Sequence, residues 1–149
     1  MSPFKILIGL GLMCWSTIVL GFRRGWVKRD DVFDYVITLM SGEDANRRDI
    51  PVIAGGEYLS DEELLGLLLQ QIERPVGASD LDKWRLAFLS CIEASNDTDD
   101  EKISRLQEVY ADFDYPEDMA SCSIYSQDSL PPLIAMHNII KFLRGKYSL

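Results

Sequence analysis

The sequence has one histidine, His137, and three cysteines, Cys14, Cys91 and Cys122, which stand far apart. A structural zinc site draws its four ligands mainly from these two residue types. No cysteine pair here has the C-x-x-C spacing that would begin one. An odd cysteine count argues against a disulfide framework, and free thiols fit a reducing cytosol. The expectation is a cytoplasmic protein with neither metal nor other cofactor. Phosphate-binding glycine loops, dinucleotide fingerprints and HExxH zinc motifs are also missing. Long apolar runs are scarce too. The longest uncharged stretch near the start, from Ile6 to Phe22, has seventeen residues, at the lower limit for a bilayer span. Gly9, Gly11, Gly21, Ser16 and Thr17 interrupt it. Lys5 is the only early base, no small-residue cleavage pattern follows, and Leu12 and Met13 precede Cys14 where a lipoprotein signal would carry small residues.

What is present fits helices. The 149 residues, with 47% hydrophobic and 26% charged side chains, suit one globular domain over residues 1–149. Pro3 can open a first helix and Gly11 can close it in the left-handed conformation. Ser16 or Thr17 can cap a second helix that ends at Arg24 and Gly25, with Trp26 folding back on its end. Asp30 and Asp31 suit a first turn, and Val32, Tyr35, Val36 and Leu39 follow at helical spacing up to Gly42. "GEDANRRD" reads as a loop and "IPVIAGG" as a short helical turn. Ser60 and Glu63 form a capping box before "LLGLLLQQI", whose leucines on most sides suggest the central helix. Pro75 and Gly77 break it. Ser79 can cap the next, with Leu81, Trp84, Phe88 and Ile92 on one face. Thr98 and Glu101 form a second box, with Ile103, Leu106, Tyr110 and Phe113 inward. Pro131 and Pro132 open a last helix that runs to Gly145. Only "SCSIYS" could be a strand. The fold class is all-α: a single compact domain of about seven helices.

The net charge is −9 and unevenly spread. Residues 1–40 carry +2, residues 41–92 carry −5, residues 93–118 carry −8 and residues 119–149 carry +2. Such an excess of acid repels nucleic acid, whose binding needs Lys and Arg to displace counterions, and it attracts basic partners. The helix-turn-helix appearance of residues 16–40 does not indicate DNA binding, because Asp30–Met40 has three aspartates and no base.

Candidate chemistry is sparse. His137 sits at helical spacing from Leu133 and Ile140, as a hydrogen-bonded residue at the edge of a core does. "NDTDDE" is acidic but not a calcium loop. Counted from Asp97, the positions that need glycine and glutamate hold Lys102 and Glu108, and the glycine is absent. The unusual segment is "YADFDYPEDM", Tyr110–Met119, which alternates rings with carboxylates. Asp114 and Asp118 could form turns around Pro116. Equally, the tyrosines offer rigid contact area while the acids accept hydrogen bonds from a partner's Lys or Arg. The candidate partner-binding residues are Glu101, Glu108, Tyr110, Asp112, Asp114, Tyr115, Glu117 and Asp118. No catalytic or metal-binding residues are assigned.

Two blocks, "WSTIVLGFRRGWVKRDDVFDYV" and "LQEVYADFDYPEDM", with "KWRLAFL" between them, give the chain a resemblance. It resembles a bacterial domain-of-unknown-function family of small acidic proteins. That resemblance implies an immunity protein of a polymorphic-toxin or contact-dependent growth inhibition system, soluble and cytosolic, acting without catalysis. The expected partner is a cognate toxin domain, such as a nuclease with a basic cleft, rather than nucleic acid or a membrane. Two alternatives stand beside it. One is an accessory protein tethered by residues 6–22, with Arg23, Arg24, Lys28 and Arg29 on the cytoplasmic side. The other is a small hydrolase using paired carboxylates or His137.

Overall fold

A computed structural model describes residues 2–40, 53 and 55–149. Among these residues there are seven α-helices, one 3-10 helix and no strand, so the fold is all-α. The chain divides into two compact units: Met1–Gly11 with Asp82–Leu149, and Leu12–Leu81. They are called the terminal unit and the inner unit below.

Helix α1 (Pro3–Gly9) starts where expected, with Pro3 in its first turn and the Ser2 side chain accepting the Lys5 N–H. Gly11 follows at φ +72°. Its N–H donates to the Ile8 carbonyl at 3.0 Å, and the helix closes. Helix α2 (Trp15–Arg23) lies in the inner unit, so Ile6–Phe22 is not one rod. No helix among the described residues is long and apolar enough to cross a membrane. Gly25, at φ +76°, ends α2 in a Schellman closure. The Trp26 N–H reaches back to the Gly21 carbonyl at 2.8 Å and the Gly25 N–H to Phe22 at 3.3 Å. The Arg24 guanidinium lies 5.6 Å from the Trp26 ring centre.

The start of α2 corrects the sequence expectation. Its cap position is Cys14, not Ser16 or Thr17. Both hydroxyls are buried instead and donate to one oxygen of Asp80, at 2.9 and 2.8 Å. Asp80 is 0% exposed. Its other oxygen accepts the Gly77 N–H at 3.0 Å. Arg74 forks over both oxygens at 3.2 Å. Burial alone would raise this carboxyl's pKa. The bonds from Gly77, Thr17, Ser16 and Arg74 outweigh it and hold the group below the ordinary carboxylate range. In turn, the hydrogen bond to Asp80, followed by the charge of that carboxylate, raises the Arg74 pKa. Asp80 also places the start of the next long helix at Ala78, so Ser79 lies inside it and is not the cap.

In the inner unit, α3 (Arg29–Met40) joins α2 through an edge-to-face contact of Trp15 and Tyr35, with centroids 5.4 Å apart. Helix α4 (Asp61–Leu69) packs on α2 and begins with both halves of the Ser60–Glu63 capping box. It is not the central helix. Only Leu64 and Leu68 are buried, while Leu69 faces solvent. Burying each such leucine contributes about 1.5–3 kcal/mol. The expected loop and Gly42 stop, and most of "IPVIAGG", lie outside the described residues. Within that last stretch Ile53 is helical and buried, and Gly55 is in a turn.

The helix buried on most sides is α5 (Ala78–Ala94). Its stretch in the terminal unit buries Lys83, Trp84, Arg85, Leu86, Ala87 and Leu89 in near-continuous order. The charged members are buried with partners, as burial of charge requires. Lys83 lies over the Tyr147 ring at 6.0 Å, and Arg85 meets Asp82 and Asp118. Trp84 and Phe88 pack together at 6.4 Å, and Phe88 meets Phe113 of α6 (Asp99–Asp112 and its cap) at 5.9 Å. Leu106, Val109 and Phe113 form the inner side of α6, whereas Ile103 and Tyr110 are only half-buried. A 3-10 helix (Glu117–Cys122) and α7 (Pro132–Lys146) complete the terminal unit, and α7 packs on both α6 and the 3-10 helix. The expected strand "SCSIYS" is instead the end of the 3-10 helix and a turn. Gln107 ties it down, donating to the Cys122 carbonyl at 2.8 Å and accepting the Ile124 N–H at 3.2 Å.

Candidate interaction surface

Helix α6 starts at Thr98, whose hydroxyl accepts the Glu101 N–H at 3.3 Å. Asp99, Asp100 and Glu101 occupy its first turn, where the helix dipole favours anions. From Glu101 the steps to Glu108 and Asp112 are seven and eleven residues, near two and three full turns. These three carboxylates therefore share one stripe, about 16 Å long at 1.5 Å per residue. All three are exposed. Arg105 lies on the same side, but it pairs with Asp97 at 3.3 Å.

The end of α6 is built without glycine. The Asp114 N–H donates to Ala111 at 3.0 Å and the Tyr115 N–H to Tyr110 at 2.9 Å. This is the bonding of a Schellman closure. Asp114 has φ +60° and Tyr115 has φ +53°. An aspartate tolerates the left-handed region; a tyrosine there is a true outlier, and Pro116 follows it. The Tyr115 ring meets Tyr110 edge-to-face, with centroids 5.0 Å apart and planes at 88°. Tyr115 is nevertheless 63% exposed.

The eight candidate residues thus fall on one continuous run of α6, its closing turn and the 3-10 helix. The structure divides them by duty. Asp118 pairs with Arg85, whose side chain is 6% exposed. Arg85 also meets Asp82 at 3.2 Å, and Asp82 accepts from Lys146 at 2.9 Å. Asp118 is therefore part of the scaffold. Glu101, Glu108, Asp112, Asp114 and Glu117 are exposed, and none forms an ion pair among the described residues. Asp99 and Asp100 share that condition and were missed, although the same charge run contains them.

Elsewhere, His137 is exposed on α7 with Nδ1 2.9 Å from the Glu93 carboxylate. Among the described residues no group of histidine, cysteine or acidic side chains is arranged to hold a metal. The inner unit has a cavity of about 540 Å³ beside Cys14, Trp15, Tyr35, Gln71 and Arg74. Cys14 lies 3.2 Å from both Ser16 Oγ and Thr17 Oγ1. Nothing in the sequence marked that cluster, because its members are brought together across more than sixty residues.

Fold and surface together describe an all-helical acidic protein in which α6 and its closing turn carry exposed carboxylates without an ion pair among the described residues. The chain belongs to the family described as "Uncharacterized protein conserved in bacteria (DUF2247)", whose family model matches residues 5–144. No curated protein and no solved structure matches it.

Proposed function

We propose that this protein is a binding module that holds a basic protein surface against α6 and its closing turn. In its finer form, the partner is a toxin domain that the protein neutralises as an immunity protein. The observation that carries the binding role is the division among carboxylates. Asp80, Asp82 and Asp118 are paired and serve the fold. Glu101, Glu108, Asp112, Asp114 and Glu117 form no ion pair among the described residues. Mutual repulsion of exposed like charges disfavours the compact state, so an unpaired set is best explained by a partner outside the chain. Complementary charge raises association rates, to about 10⁸–10⁹ M⁻¹s⁻¹ at low salt in strongly steered cases. A basic cleft, such as a nuclease uses for phosphate, would accept the carboxylate stripe in place of its substrate.

The test is to express the chain with any toxin domain found encoded beside its gene and to measure binding by calorimetry. Replacing Glu101, Glu108 and Asp112 by Gln, Gln and Asn should weaken binding by tenfold or more and flatten its salt dependence. Unchanged affinity in the triple variant would mean that binding uses another surface.

A further inference from the structure

We infer that the Tyr110–Tyr115 pair and the carboxylates beside it form a receptor for a guanidinium group, that is, for an arginine side chain of the bound partner. The inference rests on the binding role proposed above and names the chemistry of its anchor. Two rings stand perpendicular, with centroids 5.0 Å apart. In such a contact one ring turns its edge to the other, so its own faces are not used by that pairing. A cation is attracted to an aromatic face within about 6 Å of its centre. Tyr115 is 63% exposed, so a ligand reaches it from solvent.

The neighbours of Tyr115 in the sequence carry the matching charge. Asp114 precedes it and Glu117 follows two positions later, both exposed and without an ion pair among the described residues. An aromatic face alone would serve any apolar group, and carboxylates alone would serve any cation. Together they select a flat, weakly hydrated cation that stacks on a ring while its N–H groups donate to carboxylate. That describes arginine better than lysine, whose ammonium is compact and strongly hydrated. The backbone fixes the arrangement in advance. Consecutive left-handed residues, Asp114 and Tyr115, are held by the bonds to Ala111 and Tyr110 and are followed by Pro116. The ring is therefore positioned before the ligand arrives, which lowers the ordering cost of binding.

The experiment uses the full-length protein and three probes: the acetylated amides of arginine, lysine and citrulline. Citrulline keeps the shape of arginine and lacks its charge. Ring resonances of Tyr110 and Tyr115 are followed by NMR. Arginine should shift them in a saturable way at millimolar concentration. Lysine should bind about two- to fivefold more weakly, the range that an exposed cation–π contact spans at tenfold per 1.4 kcal/mol. Citrulline should give no saturable shift. Tyr115→Ala, or Asp114→Asn with Glu117→Gln, should abolish the arginine response, with unchanged amide spectra elsewhere showing that the fold is intact. Equal binding of arginine and citrulline, or an arginine response that survives Tyr115→Ala, would overturn the assignment. The Glu101/Glu108/Asp112 triple variant keeps its arginine response if the receptor is real. Failure of the stripe and failure of the receptor are therefore told apart.

Discussion

Replacing Asp80 by alanine tests how much one buried carboxylate contributes to the inner unit. Two buried hydroxyls, Ser16 and Thr17, would lose their acceptor, and so would the Gly77 N–H. A hydrogen bond to a charged group is worth about 1.5–3 kcal/mol, and a buried donor left unpaired costs a similar amount. The Arg74 side chain is 47% exposed, so water replaces its contact and its share is small. The expected loss is about 3–5 kcal/mol, the range for breaking a buried charged pair. That is a large part of the roughly 5–15 kcal/mol that holds a typical domain. Asp80→Asn is the graded control. Its amide oxygen can still accept both hydroxyls while its NH₂ opposes Gly77 or Arg74, so it should lose about 1–2 kcal/mol. Urea unfolding reports this, because Trp15 and Trp26 both lie in the inner unit. The Asp80 pKa is lowered in the folded protein. Its contribution is therefore complete above the unfolded value of about 3.9 and disappears as pH falls through the folded value. The gap between wild type and Asp80→Asn should stay constant from pH 7 to about 4 and then shrink. An alanine variant that loses less than about 1 kcal/mol, or a gap that persists at pH 2, refutes the role given to this cluster.

Gly25→Ala puts a Cβ into open space but on a backbone at φ +76°. It should cost about 1–2 kcal/mol from strain alone, measured as a fall in the urea midpoint. Asp114 stands at φ +60°, a region aspartate tolerates, so Asp114→Gly should move the stability by less than about 0.5 kcal/mol in the same assay. Burial pushes both the Cys91 and Cys122 thiols up, the latter to about 11 with help from Asp118. Iodoacetamide at pH 7.5, followed by mass spectrometry, should label half-exposed Cys14 first and leave these two unmodified until the protein is denatured.

Features decided within one turn of chain were legible in the sequence. Gly11 and Gly25 close helices as glycine must at positive φ, and the Ser60–Glu63 box forms in full, whereas of the expected Thr98–Glu101 box the Thr98 half is seen. Features decided over long distances were not. Ser16 and Thr17 are good caps by local chemistry, but Asp80, more than sixty residues away, takes their hydroxyls. The leucine-rich helix looked central because apolar count hides which face is covered, while α5 looked amphipathic because Arg85 and Lys83 disguise buried positions. On the candidate surface, the stripe follows from spacing alone. The engagement of Asp118 by Arg85 spans thirty-three residues and leaves no local trace. The left-handed pair at Asp114 and Tyr115 carries no glycine to announce it.

On the outward side of α6, Glu101, Glu108 and Asp112 form no ion pair among the described residues, while its inward side carries Leu106, Val109 and Phe113. Exchange of those outer residues alters folding energy little, typically within about 0.5 kcal/mol. Under the proposed binding role, one scaffold could therefore be re-addressed to new partners by drift along a single strip of helix, with foldability and recognition evolving as nearly separate traits.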